Sequence, residues 1–258
     1  MRICFPVLFL LILIGTGCHK SITEESNRQI PVSSLNDSNI LVDASKDGGV
    51  WWSPQAGPGD HQGYALARYL RKLGFHVDEL LRGDVITDSL LKNYSKIIRS
   101  TPSFQYSDDE LAAYKDFLDK PCALLLFQDH LYYQTQVNDN LSEMLGLHFV
   151  GAVEGTVTNF VPNEITNGVT ELSYIAGSVV TNSENNPNIT VLGALDKDNY
   201  AVINKSYPFI DETTDIDAPI MGVLNNYPNT KIFFSGDENG IEYLPQPFTQ
   251  NLVSWLFE

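Results

Sequence analysis

The stretch NILVDASKDGGVWWSPQAGPGDHQGYALARYLRKLGFHVDELL, residues 39–81, decides the fold. Its opening NILVDA (39–44) is an apolar run of strand length that ends in turn-forming residues. Tyr64, Leu66, Ala67, Leu70 and Leu73 then recur at helical spacing. HQGYALARYLRKLGF therefore reads as a helix, with Asp60 as its expected N-cap and Gly74 as its stop. HVDELL (76–81) returns as a second strand. A strand, a crossover helix and a strand in so short a span form a parallel pair, because parallel strands cannot be joined by a tight turn.

The same alternation continues outward. YSKIIRST (94–101) is a third strand, and SDDELAAYKDFL is a helix opened by a capping box, Ser107 with Glu110, and by acids in its first turn. CALLLFQD (122–129) is apolar throughout, so it is expected to be buried on both faces; VNDNLSEMLGLHF is a short helix that ends near Gly146. Repeated units of this kind imply an α/β fold: a doubly wound, mostly parallel sheet flanked by helices. From residue 150 onward the composition turns to Thr, Asn and Gly. The short runs SVVTN, ITVLGAL, YAVIN and APIMGVL are expected to be extra β-strands that decorate or extend the sheet. TKIFFSGDENG is a final strand into a turn, and PFTQNLVSWLFE a closing helix with Phe248, Leu252, Val253 and Trp255 as its apolar stripe. No repeat or linker divides residues 38–258, which are expected to be one domain large enough for a sizeable core.

The N-terminus sets an expected compartment. Arg2 precedes the apolar run Ile3–Ile14, which is too short to span a bilayer and suits a signal peptide. It leads into LILIGTGCHK, whose small residues before Cys18 resemble the lipobox of bacterial lipoproteins; Gly15 departs from the aliphatic residue usual there. The alternative is an ordinary signal peptide cut near Gly17. Lipidation of Cys18 is preferred, because a cysteine closing such an apolar run is otherwise uncommon. Residues 1–17 are then a lipoprotein signal peptide, and 18–37, polar and aperiodic, a flexible tether. The expected location is the bacterial cell envelope, held by the lipid alone and facing the periplasm or the cell exterior.

The charge agrees with this. Asp and Glu number 32 against 16 Lys and Arg, a formal net charge of −16. Such a surface argues against nucleic acid and against anionic lipid as partners. With Cys4 in the signal peptide and Cys18 acylated, Cys122 has no disulfide partner; its apolar setting PCALLLF makes a buried, inert thiol the expectation.

Four stretches, taken in order, resemble the glutamine amidotransferase-like, flavodoxin-type domains that lack the amidotransferase nucleophile. Relatives of these include trehalose-utilisation-type proteins, auxiliary components of gliding-motility transporters and the N-terminal domain of an intraflagellar-transport subunit. The stretches are ILVDASKDGG with HQGYALARYLRKLGFHVDEL, then NEITNGVTELSY, APIMGVLNNYPNTKIFFSGDENG and QNLVSWLFE. They run across nearly all of residues 38–258, and the resemblance implies a flavodoxin-like, glutamine amidotransferase-like fold. Active class I amidotransferases carry a cysteine on a tight G-x-C-x-G turn after the central strand. Here Gln128, Asp129 and His130 stand at that place, and Cys122 lies at the strand's other end. No G-x-S-x-G elbow, G-x-G-x-x-G turn or Walker loop is present, so neither a triad nor any cofactor is expected.

In open α/β sheets ligands bind outside the carboxyl ends of the strands. The loops at 45–60, 101–106 and 128–133 belong there. Trp51 and Trp52 either pack their loop onto the sheet or form a stacking platform for a sugar ring. In the second case Gln62, Thr101, Gln128 and Asp237 supply polar contacts, and Phe104, Tyr106, Tyr132 and Tyr133 line the mouth. Asp43, His61 and His130 are weak acid–base candidates, with Asp60 and Asp129 nearby; no H-E-x-x-H, CxxC or H-x-H spacing appears, and no metal site is assigned. SGDENG (235–240) sets Asp237 and Glu238 at another strand end, where a hydrogen-bonded turn is the plainer reading. The leading expectation is a lipid-anchored, non-catalytic binding or scaffold domain for a carbohydrate or a partner protein. The alternative is a sugar-active hydrolase or isomerase of trehalose-utilisation type, so whether the chain is an enzyme stays open.

Overall fold

All five residues of strand β1 (Asn39–Asp43) are buried, because parallel neighbours flank it on both sides. The computed structural model describes residues 38–47, 51, 63–129, 139–203, 217–238 and 247–257. After β1 come helix α1 (Tyr64–Lys72), β2 (His76–Glu79), the single turn α2 (Asp88–Leu91), β3 (Lys96–Arg99), α3 (Asp108–Leu118), β4 (Cys122–Phe127) and α4 (Asn140–Met144). The second half holds β5 (Phe149–Val157), β6 (Asn159–Phe160), β7 (Leu172–Val180), β8 (Ile189–Leu195), β9 (Tyr200–Val202), β10 (Ala218–Leu224), β11 (Thr230–Ser235) and the closing helix α5 (Pro247–Phe257).

The main sheet runs β2-β1-β3-β4-β11-β10-β8-β6. Its first five strands are parallel, and β10, β8 and β6 follow in antiparallel steps. The parallel strands end in step: Asp43 pairs with Arg99, Arg99 with Leu126 and Phe127 with Ser235. Alternate side chains feed two cores. Ile40, Val42, Ile98, Leu125 and Phe233 pack beneath α1 and α5, while Leu41, Ile97, Leu124, Leu126 and Phe234 pack beneath α3 and α4. A strand covered on both faces needs apolar residues at every position, which is why CALLLF does not alternate.

Local chemistry sets the element ends. Ser107 Oγ accepts from Glu110 N, and the Glu110 carboxylate accepts from Ser107 N, which completes the expected capping box. Gly74 ends α1 in the left-handed region at φ 96°, as expected. The cap of α1 is a correction: Gly63 occupies the N-cap position with no side-chain bond, and Asp60 lies outside the described residues. Leu73, expected on the apolar stripe, is exposed because it follows the last helical turn.

The second half both extends and decorates the sheet. β8, β10 and the short β6 extend it, whereas β5, β7 and β9 form a separate antiparallel sheet in the order β7-β5-β9. β5, FVGAVEGTV, was not anticipated as a strand. Gly151 sits at φ 90°, and the β5–β7 register shifts between Val150 and Val153, so a bulge breaks the period-two pattern.

β7 is strained at its middle, where it meets the main sheet. Ala176 has φ 63°, the one non-glycine at positive φ among the described residues. A Cβ on neighbouring Gly177 would lie 2.5 Å from the Asp237 Cβ. Left-handed backbone costs an L-residue about 1–2 kcal/mol, part of which glycine's extra chain entropy offsets. Ala176→Gly is therefore expected to stabilise the fold by about 0.5–1 kcal/mol, and Gly177→Ala to destabilise it by about 1–3 kcal/mol through overpacking. Urea denaturation midpoints measure both.

Candidate functional site

Register places Asp43 and Arg99 side by side on the α3 and α4 face, at the carboxyl ends of β1 and β3. Asp43 is buried. Its Oδ1 accepts from Ser45 N at 3.0 Å, and its Oδ2 accepts from the hydroxyls of Tyr106 at 2.8 Å and Tyr114 at 2.6 Å. The two rings meet edge to face, 5.5 Å between centroids. Burial, with the Asp43 carboxylate beside them, holds both phenols well above the ordinary tyrosine pKa.

Arg99 is fully buried. Its Nη2 donates to Ser142 Oγ at 3.3 Å and lies 3.4 Å from Asp139 Oδ2, and among the described residues Nε and Nη1 meet no hydrogen-bond acceptor. Asp139 caps α4, its Oδ1 accepting from Leu141 N and Ser142 N and its Oδ2 from Ser142 Oγ. Gln128, just after β4, donates through Nε2 to Asp139 Oδ2 and to Ser142 Oγ.

The acids after β11 point in opposite directions. Glu238 reaches over the end of β4, where its Oε2 accepts from Thr101 N at 3.0 Å and Thr101 Oγ1 at 2.7 Å. Asp237 Oδ2 accepts from Ile175 N at 2.8 Å, which ties the middle of β7 to the main sheet, and Ser178 Oγ donates to the Asp129 carbonyl. The turn itself is closed by Ser235 Oγ, which donates to the Asp237 carbonyl and accepts from Asp237 N. Gly236 has no room for a side chain, since a Cβ there would lie 2.1 Å from Ser178 O.

Several expectations need correction. Trp51 is fully buried, so its ring faces are not open to stack on a sugar. Its N donates to Asp47 Oδ1 and its Nε1 to Glu79 Oε2, each at 3.0 Å. A Cβ on Gly63 would fall 2.2 Å from the indole, so that glycine lets the start of α1 lie against the ring. Asp43 is no free acid or base, since both its oxygens are engaged within the protein. Thr101, Gln128 and Asp237 are buried and bonded within the protein. Cys122 is half-buried, not buried; burial pushes its thiol up to about 11. Trp52, Gln62, His61, His130, Tyr132 and Tyr133 lie outside the described residues. Among the described residues no cluster of His, Cys, Asp or Glu is arranged to hold a metal ion, and no helix is long and apolar enough to cross a membrane.

Sequence reasoning missed Arg99, Tyr114, Asp139, Ser142 and Glu110 as members of this layer. The one available signal was the charge closing the apolar run KIIR. Glu110 joins three loops: its carboxylate accepts from Lys46 Nζ at 2.9 Å after β1, Ile86 N at 3.2 Å after β2 and Ser107 N at 2.8 Å after β3. Burial pushes this carboxyl up, but Lys46 and the two backbone donors outweigh it and hold the pKa below the ordinary glutamate value.

Asp43→Ala leaves two buried hydroxyls without their acceptor, at about 1–3 kcal/mol each. The expected loss is about 3 kcal/mol, against about 1 kcal/mol for Tyr114→Phe, read from chemical denaturation. A carboxylate held low contributes stability that is complete above its unfolded-state pKa and is lost as pH falls through the folded value. Glu110→Gln is therefore expected to lower the denaturation midpoint at neutral pH and to flatten its fall toward acid.

No protein-family model matches this chain, and no curated protein matches it. Solved structures do. The mmIFT52 N-terminal domain matches with a TM-score of 0.61 at 16% identity, covering 85% of this chain and 97% of that one. A ThuA-like protein from Bacteroides uniformis matches with a TM-score of 0.53 at 16% identity, covering 87% and 91%. A second, from Parabacteroides merdae, gives 0.53 at 12% identity, covering 85% and 89%. These are the kinds of neighbour to which the sequence resemblance pointed. At such identities the likeness is one of fold, and the chain shares with them a mixed α/β architecture built on a large, mostly parallel sheet flanked by helices.

Proposed function

We propose that this chain is a non-catalytic binding or scaffold domain, tethered to the bacterial cell envelope through a lipid on Cys18 and facing the periplasm or the exterior. One observation carries the non-catalytic part. Of the acid–base candidates, Asp43 is among the described residues, and its carboxylate is buried and bonded within the fold; His61 and His130 lie outside them. An acid–base catalyst must reach its substrate, and a carboxylate held between two phenols does not. The net charge of −16 suits an extracytoplasmic surface and sets nucleic acid aside as a partner. The ligand classes in keeping with this reading are a carbohydrate and a partner protein, bound but not transformed.

Incubation of the full chain with trehalose and related disaccharides is expected to release no reducing sugar. Turnover that disappears in Asp43→Asn would replace this reading with a sugar-active enzyme. For the anchor, Cys18→Ala is expected to move the chain from the membrane to the soluble fraction and to abolish labelling by a palmitate analogue. Unchanged fractionation and labelling would remove the lipid from the account.

A further inference from the structure

Six large apolar side chains are exposed among the described residues, and three of them, Val85, Phe104 and Ile175, stand at the carboxyl end of the parallel strands. Val85 follows β2, Phe104 follows β3, and Ile175 lies where its N–H meets Asp237 after β11. β2 and β11 are four strand steps apart, so these residues spread over about 19 Å. They sit on fixed backbone. Ser103 N donates to Lys46 O at 2.7 Å and Tyr106 N to Asn140 Oδ1 at 3.0 Å, which pins the Phe104 loop on both sides. Glu110 ties that loop to the Val85 loop through Ser107 N and Ile86 N.

We propose that this edge is a protein-docking surface, with Phe104 as its central anchor, for a polypeptide that presents apolar side chains flanked by Lys or Arg. The proposal rests on the non-catalytic reading and names its ligand class. Between the apolar residues, Asp43, Arg99, Thr101, Gln128 and Asp237 are at most 2% exposed, so these side chains present little polar surface. Small ligands need concavity that buries most of their surface, whereas protein interfaces use a few separated apolar anchors. Charge selects the partner. Asp108, Asp109 and Glu143 are exposed along this edge; of the cations there, Lys46 is committed to Glu110 and the half-exposed Arg82 faces Asp47 at 4.0 Å, and the whole chain carries −16.

The test selects a phage-displayed library of random peptides on the full chain and measures the selected peptides by fluorescence anisotropy. The expected peptides carry Lys or Arg beside Leu, Ile or Phe. They are expected to weaken roughly tenfold or more on Phe104→Ala, the loss of a central anchor. They are also expected to weaken on Asp108→Asn with Asp109→Asn and at raised salt, and to bind unchanged to Leu73→Ser at the opposite end of the sheet. Phe104 is exposed, so its replacement leaves the core intact; circular dichroism checks this. No enriched peptide, or enriched peptides indifferent to Phe104, overturns the docking proposal. A glycan array that binds through Phe104 overturns it as well but leaves the non-catalytic reading standing, whereas sugar turnover overturns both.

Discussion

The first strand's end poses one burial problem on which its neighbours depend: the Asp43 carboxylate is 1% exposed and must find its hydrogen bonds within the protein. Tyr106 and Tyr114 solve it by donating both hydroxyls to one oxygen while Ser45 N serves the other. Tyr114 comes from α3 and Tyr106 from the loop after β3, so the same bonds fix a helix and a loop against the first strand. Buried carboxylates are tolerable only when their hydrogen bonds are supplied. Beside them Arg99, Asp139, Ser142 and Gln128 form a second set that fixes α4 against the ends of β3 and β4.

The separate β7-β5-β9 sheet is held to this edge by polar and steric fit together. Asp237 accepts from the β7 backbone, Ser178 on β7 donates to the Asp129 carbonyl, and Gly177 and Gly236 let the chains approach where any side chain would collide. The positive φ of Ala176, in the middle of β7, lies beside that close approach, where the surrounding bonds hold it. An edge braced in this manner is well suited to holding a surface in shape.

The strand–helix alternation was legible because the central parallel strands carry apolar runs and α3 and the end of α1 carry recognisable cap chemistry. Ser107 with Glu110 and Gly74 were readable for that reason. β5 was not legible, because Gly151 and the adjoining bulge hide its period. Trp51 and Trp52 are adjacent in sequence, but sequence does not say whether a ring points inward; the space above Gly63 and the Glu79 acceptor draw Trp51 into the core. The polar layer was only half legible. Asp43, Thr101, Gln128 and Asp237 were found from their positions at strand ends, but their partners come from distant elements, as with Glu238 and Thr101, which lie 137 residues apart.

A closed polar layer beneath an apolar-studded edge is the central claim. Spectrophotometric titration of the phenols tests it most directly. The chain has 12 tyrosines, and burial holds Tyr106, Tyr114 and Tyr174 well above the ordinary pKa. A tyrosine kept neutral in the fold contributes stability that is complete below its unfolded-state value and lost as pH rises toward the folded one. The account predicts that these three ionise only as the protein unfolds in alkali, in a step that coincides with loss of ellipticity. Rapid ionisation of all the tyrosines in the ordinary range, with the fold intact, would contradict it.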